Sequence, residues 1–106
     1  MNTHNLQTIH LNSTIMEGFY FVATVKKWDE KTYESYHGDF KILERYVKER
    51  GIQPVLSQLS EKIIREFFFD MGKEKASATV RRYHGTLSRI FKRLERENIR
   101  NTMIDI

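Results

Sequence analysis

The chain has 106 residues, of which 40% are hydrophobic, and it carries 18 Lys and Arg against 14 Asp and Glu, for a net charge of +4. That length fits one small domain and excludes most enzymes that need two domains or a large cofactor cradle. Cysteine is absent, which excludes a disulfide framework, a thiolate zinc site and a cysteine nucleophile.

The first thirteen residues are polar and aperiodic, and we expect residues 1–13 to form a flexible arm. They contain no Lys or Arg, and no apolar stretch of the length that a signal peptide needs follows them. No run of about eighteen apolar residues occurs, so the sequence predicts no membrane-spanning helix. We therefore expect a cytoplasmic protein without a membrane partner.

Residues 14–106 are interpreted as one domain that contains four helices. The first helix is predicted over residues 14–28, with Ser13 or Thr14 as its N-cap. The second is predicted over residues 32–50, and Gly51 ends it ahead of Pro54. Their apolar stripes, at helical spacing, consist of Ile15, Phe19, Val22 and Val25 in the first helix and of Tyr36, Phe40, Leu43 and Val47 in the second.

The third helix is predicted over residues 60–71, with Ser60 as its N-cap, and Gly72 ends it before a loop over residues 73–76. The fourth is predicted over residues 77–98, with Ser77 as its cap. Their stripes consist of Ile63, Ile64, Phe67 and Phe68 in the third helix and of Val80, Tyr83, Leu87, Ile90, Phe91 and Leu94 in the fourth. Four amphipathic helices without a strand pattern predict an all-α bundle.

The sequence offers no pattern for catalysis. The histidines, His4, His10, His37 and His84, lie neither three nor four residues from one another, and no Gly-rich phosphate loop occurs. Asp29, Glu30 and Glu34 stand near a helix start, where carboxylates favour the helix dipole. We therefore predict no enzyme active site, no cofactor and no metal site in this chain.

The charge is concentrated toward the end of the chain. Residues 72–101 hold nine Lys and Arg against three Asp and Glu. In the fourth helix, a row of arginines about 20 Å long lies opposite the apolar stripe, consisting of Arg82, Arg89, Arg93 and Arg96. The planar guanidinium binds phosphate or guanine edges bidentately, so this face predicts a polyanionic partner. An ordinary solvent-exposed helix face is the alternative.

Two further groups of side chains complete the candidate DNA-binding site. One is the outer side of the second helix, and the other surrounds the start of the fourth helix, where backbone N–H groups bind anions. We expect Thr79 and Arg82 to read base edges, with His37, Lys41 or Arg45 as second choices. Phosphate contacts are expected from Lys73, Lys75, Arg81, Arg89, Lys92 and Arg93. The candidate residues are His37, Lys41, Arg45, Lys73, Lys75, Ser77, Thr79, Arg81, Arg82, Arg89, Lys92 and Arg93.

Residues 77–91, SATVRRYHGTLSRIF, resemble the last helix of the N-terminal core-binding domain of phage integrases and other tyrosine recombinases. The spacing of Tyr36, Phe40, Leu43, Tyr46 and Gly51 is similar to the second helix of that family. The stretch 56–60, followed by Ile63 and Phe67, resembles its loop and third helix, and residues 98–101 resemble its exit. The sequence departs from the family at His84 and at Thr102, where an apolar residue and proline are common, and the first helix matches poorly.

The resemblance implies a four-helix, SAM-like bundle that clamps one face of duplex DNA with its second and fourth helices. In that family the catalytic arginine, lysine, His-x-x-Arg box and tyrosine belong to a separate C-terminal domain. No histidine here is followed by arginine at the third position. We therefore expect part of a longer integrase of a phage or mobile element that cannot cut DNA itself. Double-stranded DNA and neighbouring integrase protomers are the expected partners.

Two other functions remain as alternatives. The chain could be a helical protein-interaction module that does not bind DNA, with an apolar partner surface over residues 15–21. It could also be a small helix-turn-helix regulator. We place the regulator third because the sequence shows no tight helix-turn-helix spacing with a short recognition helix.

Overall fold

A computed structural model describes residues 12–96, and these fold into four α-helices. The helices are α1 (Ile15–Lys26), α2 (Glu30–Glu49), α3 (Glu61–Glu74) and α4 (Ser77–Arg96), and a short 3-10 helix (Leu56–Gln58) lies between α2 and α3. Within residues 12–96 the only β-type pairing is an isolated bridge between Thr14 and Val55. The predicted all-α bundle is thus confirmed. Most of the predicted arm lies outside the described residues.

Three of the four helices begin after a polar side chain that caps them. Thr14 forms a capping box with Glu17, in which the Thr14 hydroxyl accepts from the Glu17 N–H at 3.0 Å and the Glu17 carboxylate accepts from the Thr14 N–H at 2.8 Å. Asp29 caps α2 and accepts from the Thr32 N–H at 2.8 Å, a bond that lowers the pKa of the Asp29 carboxyl. Ser60 caps α3 as predicted. Asp29 therefore serves helix initiation, as expected for a carboxylate at this position.

The helix ends follow the sequence less closely. Gly51 has a φ of 75° and ends α2 in the left-handed conformation that glycine adopts without strain. Gly72, however, does not end α3. The Lys75 N–H still donates to the Met71 carbonyl at 3.0 Å, so helical hydrogen bonding continues past the glycine. An exposed glycine costs a helix only about 1 kcal/mol, and the turn to α4 shortens to residues 75–76.

Three phenylalanines from different helices form the centre of the core. Phe19, Phe40 and Phe91 are fully buried, and the ring of Phe40 lies 5.1 Å from that of Phe19 and 5.7 Å from that of Phe91. Burying an aromatic side chain of this kind contributes about 2–3 kcal/mol. Val25 was predicted in the apolar stripe of the first helix, together with Phe19. It is 38% exposed, because α1 ends one residue later at Lys26.

Two backbone hydrogen bonds join the start of α1 to the connection between α2 and α3. The Ile15 N–H donates to the Pro54 carbonyl and the Leu56 N–H to the Ser13 carbonyl, each at 2.9 Å. Gly18 allows the close approach of this connection and of α4, since a Cβ there would meet side-chain atoms of Leu56 and Leu94 at 3.3 Å. These contacts hold α1 against the C-terminal half of α4. No helix within residues 12–96 is long and apolar enough to cross a membrane.

Candidate nucleic-acid interface

Helix α4 separates an apolar face from a cationic face, as the sequence predicts. Its buried residues are Tyr83, Thr86, Leu87, Ile90, Phe91 and Leu94. Its exposed cations are Arg81, Arg82, Arg89, Lys92 and Arg96, and Arg93 is half-buried. Because the apolar stripe packs into the bundle, this orientation turns five cations toward solvent along one helix. Gly85 lies in the same helix, and a Cβ added to it would meet no atom within 4 Å, so packing inside the bundle does not require a glycine there.

One of these arginines is engaged by the bundle itself. Arg82 donates through Nη1 and Nη2 to the two carboxylate oxygens of Asp39 on α2, at 2.9 and 3.2 Å. The Asp39 side chain is only 5% exposed, whereas that of Arg82 is 49% exposed. Hydrogen bonding to Asp39 raises the pKa of Arg82. Two of the five N–H donors of Arg82 satisfy a buried carboxylate, so a base contact through the same edge of the guanidinium would compete with Asp39.

Asp39 is a structural partner that was not predicted from the sequence. It lies three residues after Tyr36 and four before Leu43, within the apolar sector of α2. A carboxylate in such a sector requires a cationic partner, because burying an unpaired charge is costly. That requirement is the signal in the sequence, although only the packing of α2 against α4 identifies Arg82 as the partner.

Arg89 is fixed in place without an ion pair among the described residues. Its Nη1 donates to the Tyr36 hydroxyl at 2.9 Å. The Tyr36 ring in turn packs edge-on against Trp28, with 4.9 Å between ring centroids. The guanidinium has five N–H donors, so a single bond to a neutral hydroxyl orients Arg89 and leaves its charge uncompensated. A pre-positioned guanidinium is suited to binding an oxyanion.

The C-terminal half of α4 also meets a cation from α1. Lys26 lines a shallow depression of about 400 Å³ together with residues of α4, and the whole lining consists of Lys26, Arg89, Lys92, Arg93, Glu95 and Arg96. We call this depression the cationic cleft. Lys26 was not among the residues predicted from the sequence, although the Lys26-Lys27 pair at the end of the first helix was a visible signal. Only the packing of α1 against α4 brings it to the cleft.

The candidates on α2 are distributed differently. His37 is half-buried between two aromatic rings, stacked on Tyr33 at 5.7 Å between centroids and 3.4 Å through Nε2 from the Tyr20 hydroxyl. Lys41 forms an ion pair with Glu44 at 2.8 Å, and this bond raises the pKa of Lys41. His37 thus packs within an aromatic cluster, and the charge of Lys41 is compensated.

Three other candidates lie together in a second depression, between α2 and α3. Arg45, Lys73 and Lys75 line this space of about 480 Å³ together with Glu49, Asp70 and Glu74. Lys73 also lies 3.6 Å from a carboxylate oxygen of Asp70 and 4.7 Å above the ring of Phe69. Here carboxylates accompany the cations in equal number. The depression therefore provides no net positive charge for a polyanion.

The start of α4 differs from the prediction in register. The helix begins at Ser77 itself, so Ser77 belongs to the first turn rather than preceding it as the cap. Ser77 is exposed and Thr79 is half-buried. Both therefore lie near the helix N-terminus as expected, on an end of α4 about 20 Å from the cationic cleft.

A closed hydrogen-bond network joins α2 to α3. The Tyr46 hydroxyl donates to Asp70 at 2.7 Å, and Arg50 donates to the Tyr46 oxygen at 2.9 Å and to Glu66 at 2.6 Å. Burial, together with the bond to Asp70, raises the pKa of Tyr46 to about 12. The same bond, with the nearby cations, lowers the pKa of Asp70. These groups satisfy one another and hold the two helices together.

The cations of the described chain fall into two classes. Six have a carboxylate within 4.0 Å, namely Lys41, Lys48, Arg50, Arg65, Lys73 and Arg82. Among residues 12–96, no carboxylate lies within that distance of ten other cations, and four of these ten line the cationic cleft. The ten are Lys26, Lys27, Lys31, Arg45, Lys62, Lys75, Arg81, Arg89, Lys92 and Arg96. Apart from Arg82, the exposed cations of α4 belong to this second class.

The geometry thus gathers four cations without acidic partners in the described chain, Lys26, Arg89, Lys92 and Arg96, in the cationic cleft. Comparison of the chain with protein-family models, curated proteins and solved structures finds no match. Within the part of the chain that the structure describes, no group of three or more His, Asp or Glu side chains is placed to hold a metal ion.

Proposed function

We propose that this chain is a duplex-DNA-binding domain and that the exposed face of α4 contacts the phosphate backbone. The observation that carries the proposal is the absence, within residues 12–96, of carboxylates near Arg81, Arg89, Lys92 and Arg96. A cation without a protein counter-ion can neutralise a phosphate without first losing an ion pair. The release of counterions from DNA then favours the complex.

We further propose that the domain is of the core-binding, SAM-like type found in tyrosine recombinases. Support comes from the motif residues, since Phe40, Leu43, Phe67, Leu87 and Phe91 all occupy core positions in successive helices. In this proposal the chain positions a recombinase on its DNA site in the cytoplasm and contacts neighbouring protomers. Cutting and rejoining of DNA belong to a separate catalytic domain.

The proposal assigns most of the affinity to phosphate contacts. Arg82 is less suited to base reading than the sequence predicted, because two of its donors bind Asp39. Arg81 is the exposed arginine that remains in the N-terminal half of α4, and it replaces Arg82 as the candidate for a base-edge contact. Since phosphate contacts carry no sequence information, this domain alone should bind many duplexes with similar affinity.

The protein-interaction alternative loses most of its expected surface. Within residues 15–21, Ile15, Phe19 and Phe21 are buried in the core, and Tyr20 is 39% exposed. Among residues 12–96, the most exposed large apolar side chain is Phe69 on α3, which is 68% exposed. One such residue is common on protein surfaces, so we keep DNA binding as the proposed function.

The helix-turn-helix alternative gains a tight turn, because only residues 75–76 separate α3 from α4. In that motif, however, the N-terminal residues of the recognition helix contact the bases. Here Arg82, in the N-terminal part of α4, bonds to Asp39. Cations without acidic partners in the described chain lie mainly in the C-terminal half of the helix, at Arg89, Lys92 and Arg96. The charge distribution therefore favours backbone binding along α4 over insertion of its N-terminus.

A titration of labelled duplex at two salt concentrations tests the proposal. We expect salt-dependent binding that is weakened at least about tenfold by Arg89→Glu with Lys92→Glu. The matched control is Lys62→Glu with Arg65→Glu, which changes the charge equally on the exposed side of α3 and should weaken binding much less. No detectable binding at low salt, or binding that does not weaken as salt rises, would contradict DNA binding.

A further inference from the structure

The cationic cleft brings cations from two helices into one depression. Lys26 belongs to the last turn of α1, and Arg89, Lys92, Arg93 and Arg96 belong to the last two turns of α4. Glu95 is the single carboxylate in the lining. Helix C-termini favour nearby cations, and that effect accounts for a basic residue in the last turn of each helix. It does not account for five cations that converge across two helices.

Four cations of the cleft have no acidic partner in the described chain. Lys26, Arg89, Lys92 and Arg96 are exposed, and within residues 12–96 no carboxylate is within ion-pair distance of them. Packing α1 against α4 gathers like charges, and their repulsion is reduced only by solvent and salt. A bound polyanion would convert this repulsion into attraction.

One cation of the cleft, Arg89, has a fixed orientation. The hydroxyl of Tyr36 orients the Arg89 guanidinium at 2.9 Å, and Trp28 supports the Tyr36 ring. Trp28, in the turn after α1, is itself packed on Phe19 in the core, with ring centroids 5.6 Å apart. Arg89 is thus connected to the core through two aromatic rings. A guanidinium positioned in this way can donate two parallel N–H groups to one phosphate.

The shape of the cleft indicates which phosphate it would take. Sites for small molecules are concave, mostly apolar and enclose most of the ligand. This depression is shallow and lined by long charged side chains, so it suits a group on the outside of a polymer. Consecutive phosphates of a nucleic-acid strand provide such groups, a few ångströms apart along a line of negative charge.

We propose that the cationic cleft, formed by Lys26 with Arg89, Lys92, Arg93 and Arg96, binds the phosphate backbone of a nucleic acid and makes the end of α1 part of the interface. This inference rests on the proposed function and specifies it further. The backbone would cross the seam between α1 and α4, and the centre of the interface would lie toward the C-terminal half of α4. The start of α4, near Lys73 and Lys75, would be peripheral.

A comparison of two double charge reversals tests this assignment. Lys26→Glu with Arg96→Glu alters the cleft, and Lys73→Glu with Lys75→Glu alters the start of α4 by the same charge. We measure the anisotropy of a labelled duplex of about 30 base pairs at two salt concentrations. The cleft variant should lose at least about tenfold in affinity and have a shallower salt dependence, and the control should lose less than about threefold.

Equal losses, or a larger loss in the control, would overturn the cleft assignment while leaving DNA binding intact. Absence of binding by the unaltered chain would instead contradict the proposed function. Circular dichroism checks that both variants fold. If the Lys26→Glu with Arg96→Glu variant does not fold, Lys26→Gln with Arg96→Gln, which adds no negative charge, is used in its place. Inorganic tripolyphosphate is the probe for a free ligand. If tripolyphosphate binds the cleft with higher affinity than duplex DNA does, the nucleic-acid assignment is overturned.

Discussion

On the α2–α3 side of the bundle, Arg50, Arg65 and Lys73 are paired with carboxylates, whereas four cations of the cationic cleft between α1 and α4 have no acidic partner in the described chain. Arg50, for example, bonds to Glu66 and to the Tyr46–Asp70 pair. Lys26 and Lys92 have no equivalent ion pair within residues 12–96. Both sides contain several cations, so the number of basic residues does not identify a binding surface. Their pairing does.

The difference has an energetic basis. Exposed ion pairs contribute about 0–1 kcal/mol each to stability, so the paired side obtains a modest gain from many contacts. The unpaired side obtains nothing from its charges in the isolated chain and loses a little through repulsion. A surface that is unfavourable in isolation can still be favourable in a complex with a polyanion, and this contrast is the basis for the following three predictions.

The largest effect is expected at Arg82, the α4 arginine that is paired with the buried Asp39. Arg82→Ala leaves the buried Asp39 carboxylate without its partner and should lower the free energy of unfolding by about 2–3 kcal/mol. Arg81→Ala, one residue away and exposed, should change it by less than about 0.5 kcal/mol. Urea denaturation measures both. If the two variants are equally stable, the Arg82–Asp39 pair does not stabilise the bundle.

The next effect is expected at Tyr46. Tyr46→Phe removes the bond to Asp70 and should cost about 1–2 kcal/mol near neutral pH without altering DNA affinity. The pKa of Tyr46 is about 12 in the folded chain against 10.0 ordinarily, so the stability that it provides is complete below about pH 10 and is lost as pH rises from there through about 12.

Urea midpoints of the unaltered chain and of Tyr46→Phe therefore converge as pH rises toward about 12. Comparing the two proteins cancels the titration of lysines and of other tyrosines, which both contain. If the difference in stability between the two proteins stays constant from neutral pH to about pH 11, the network does not raise the pKa of Tyr46.

The smallest effect compares single lysines of the two classes. Lys92→Ala should reduce the slope of log affinity against log salt by about one, because one phosphate contact is lost. Lys48→Ala, which removes a lysine 3.9 Å from Glu44, should leave the slope unchanged. Neither should change stability by more than about 0.5 kcal/mol. Equal slopes for both variants would remove the distinction between paired and unpaired cations.

Much of the fold could be predicted because its signals are local. The caps at Thr14 and Ser60 and the left-handed Gly51 depend on a few neighbouring residues, and all three are where the sequence places them. The end of α3 was predicted wrongly because one exposed glycine costs too little to end a helix. The four-residue loop expected before α4 is consequently a two-residue turn.

The candidate site was harder to predict, because it depends on which helices pack together. A row of arginines on one side of α4 follows from helical periodicity alone. The loss of Arg82 to Asp39, 43 residues away, does not. Nor does the convergence of Lys26 on Arg89, since α1 and α4 are far apart in the chain. His37 was assigned to an outer face but packs between Tyr20 and Tyr33.

The sequence by itself determined the helices, their apolar stripes and the excess of positive charge in α4, because each depends on the identity and spacing of residues within one turn or two. The tertiary structure decided which of those charges remain available. Whether a guanidinium meets a carboxylate, a phenol or only water depends on the neighbouring helix, and Coulomb interactions act between groups that the chain brings together from distant positions.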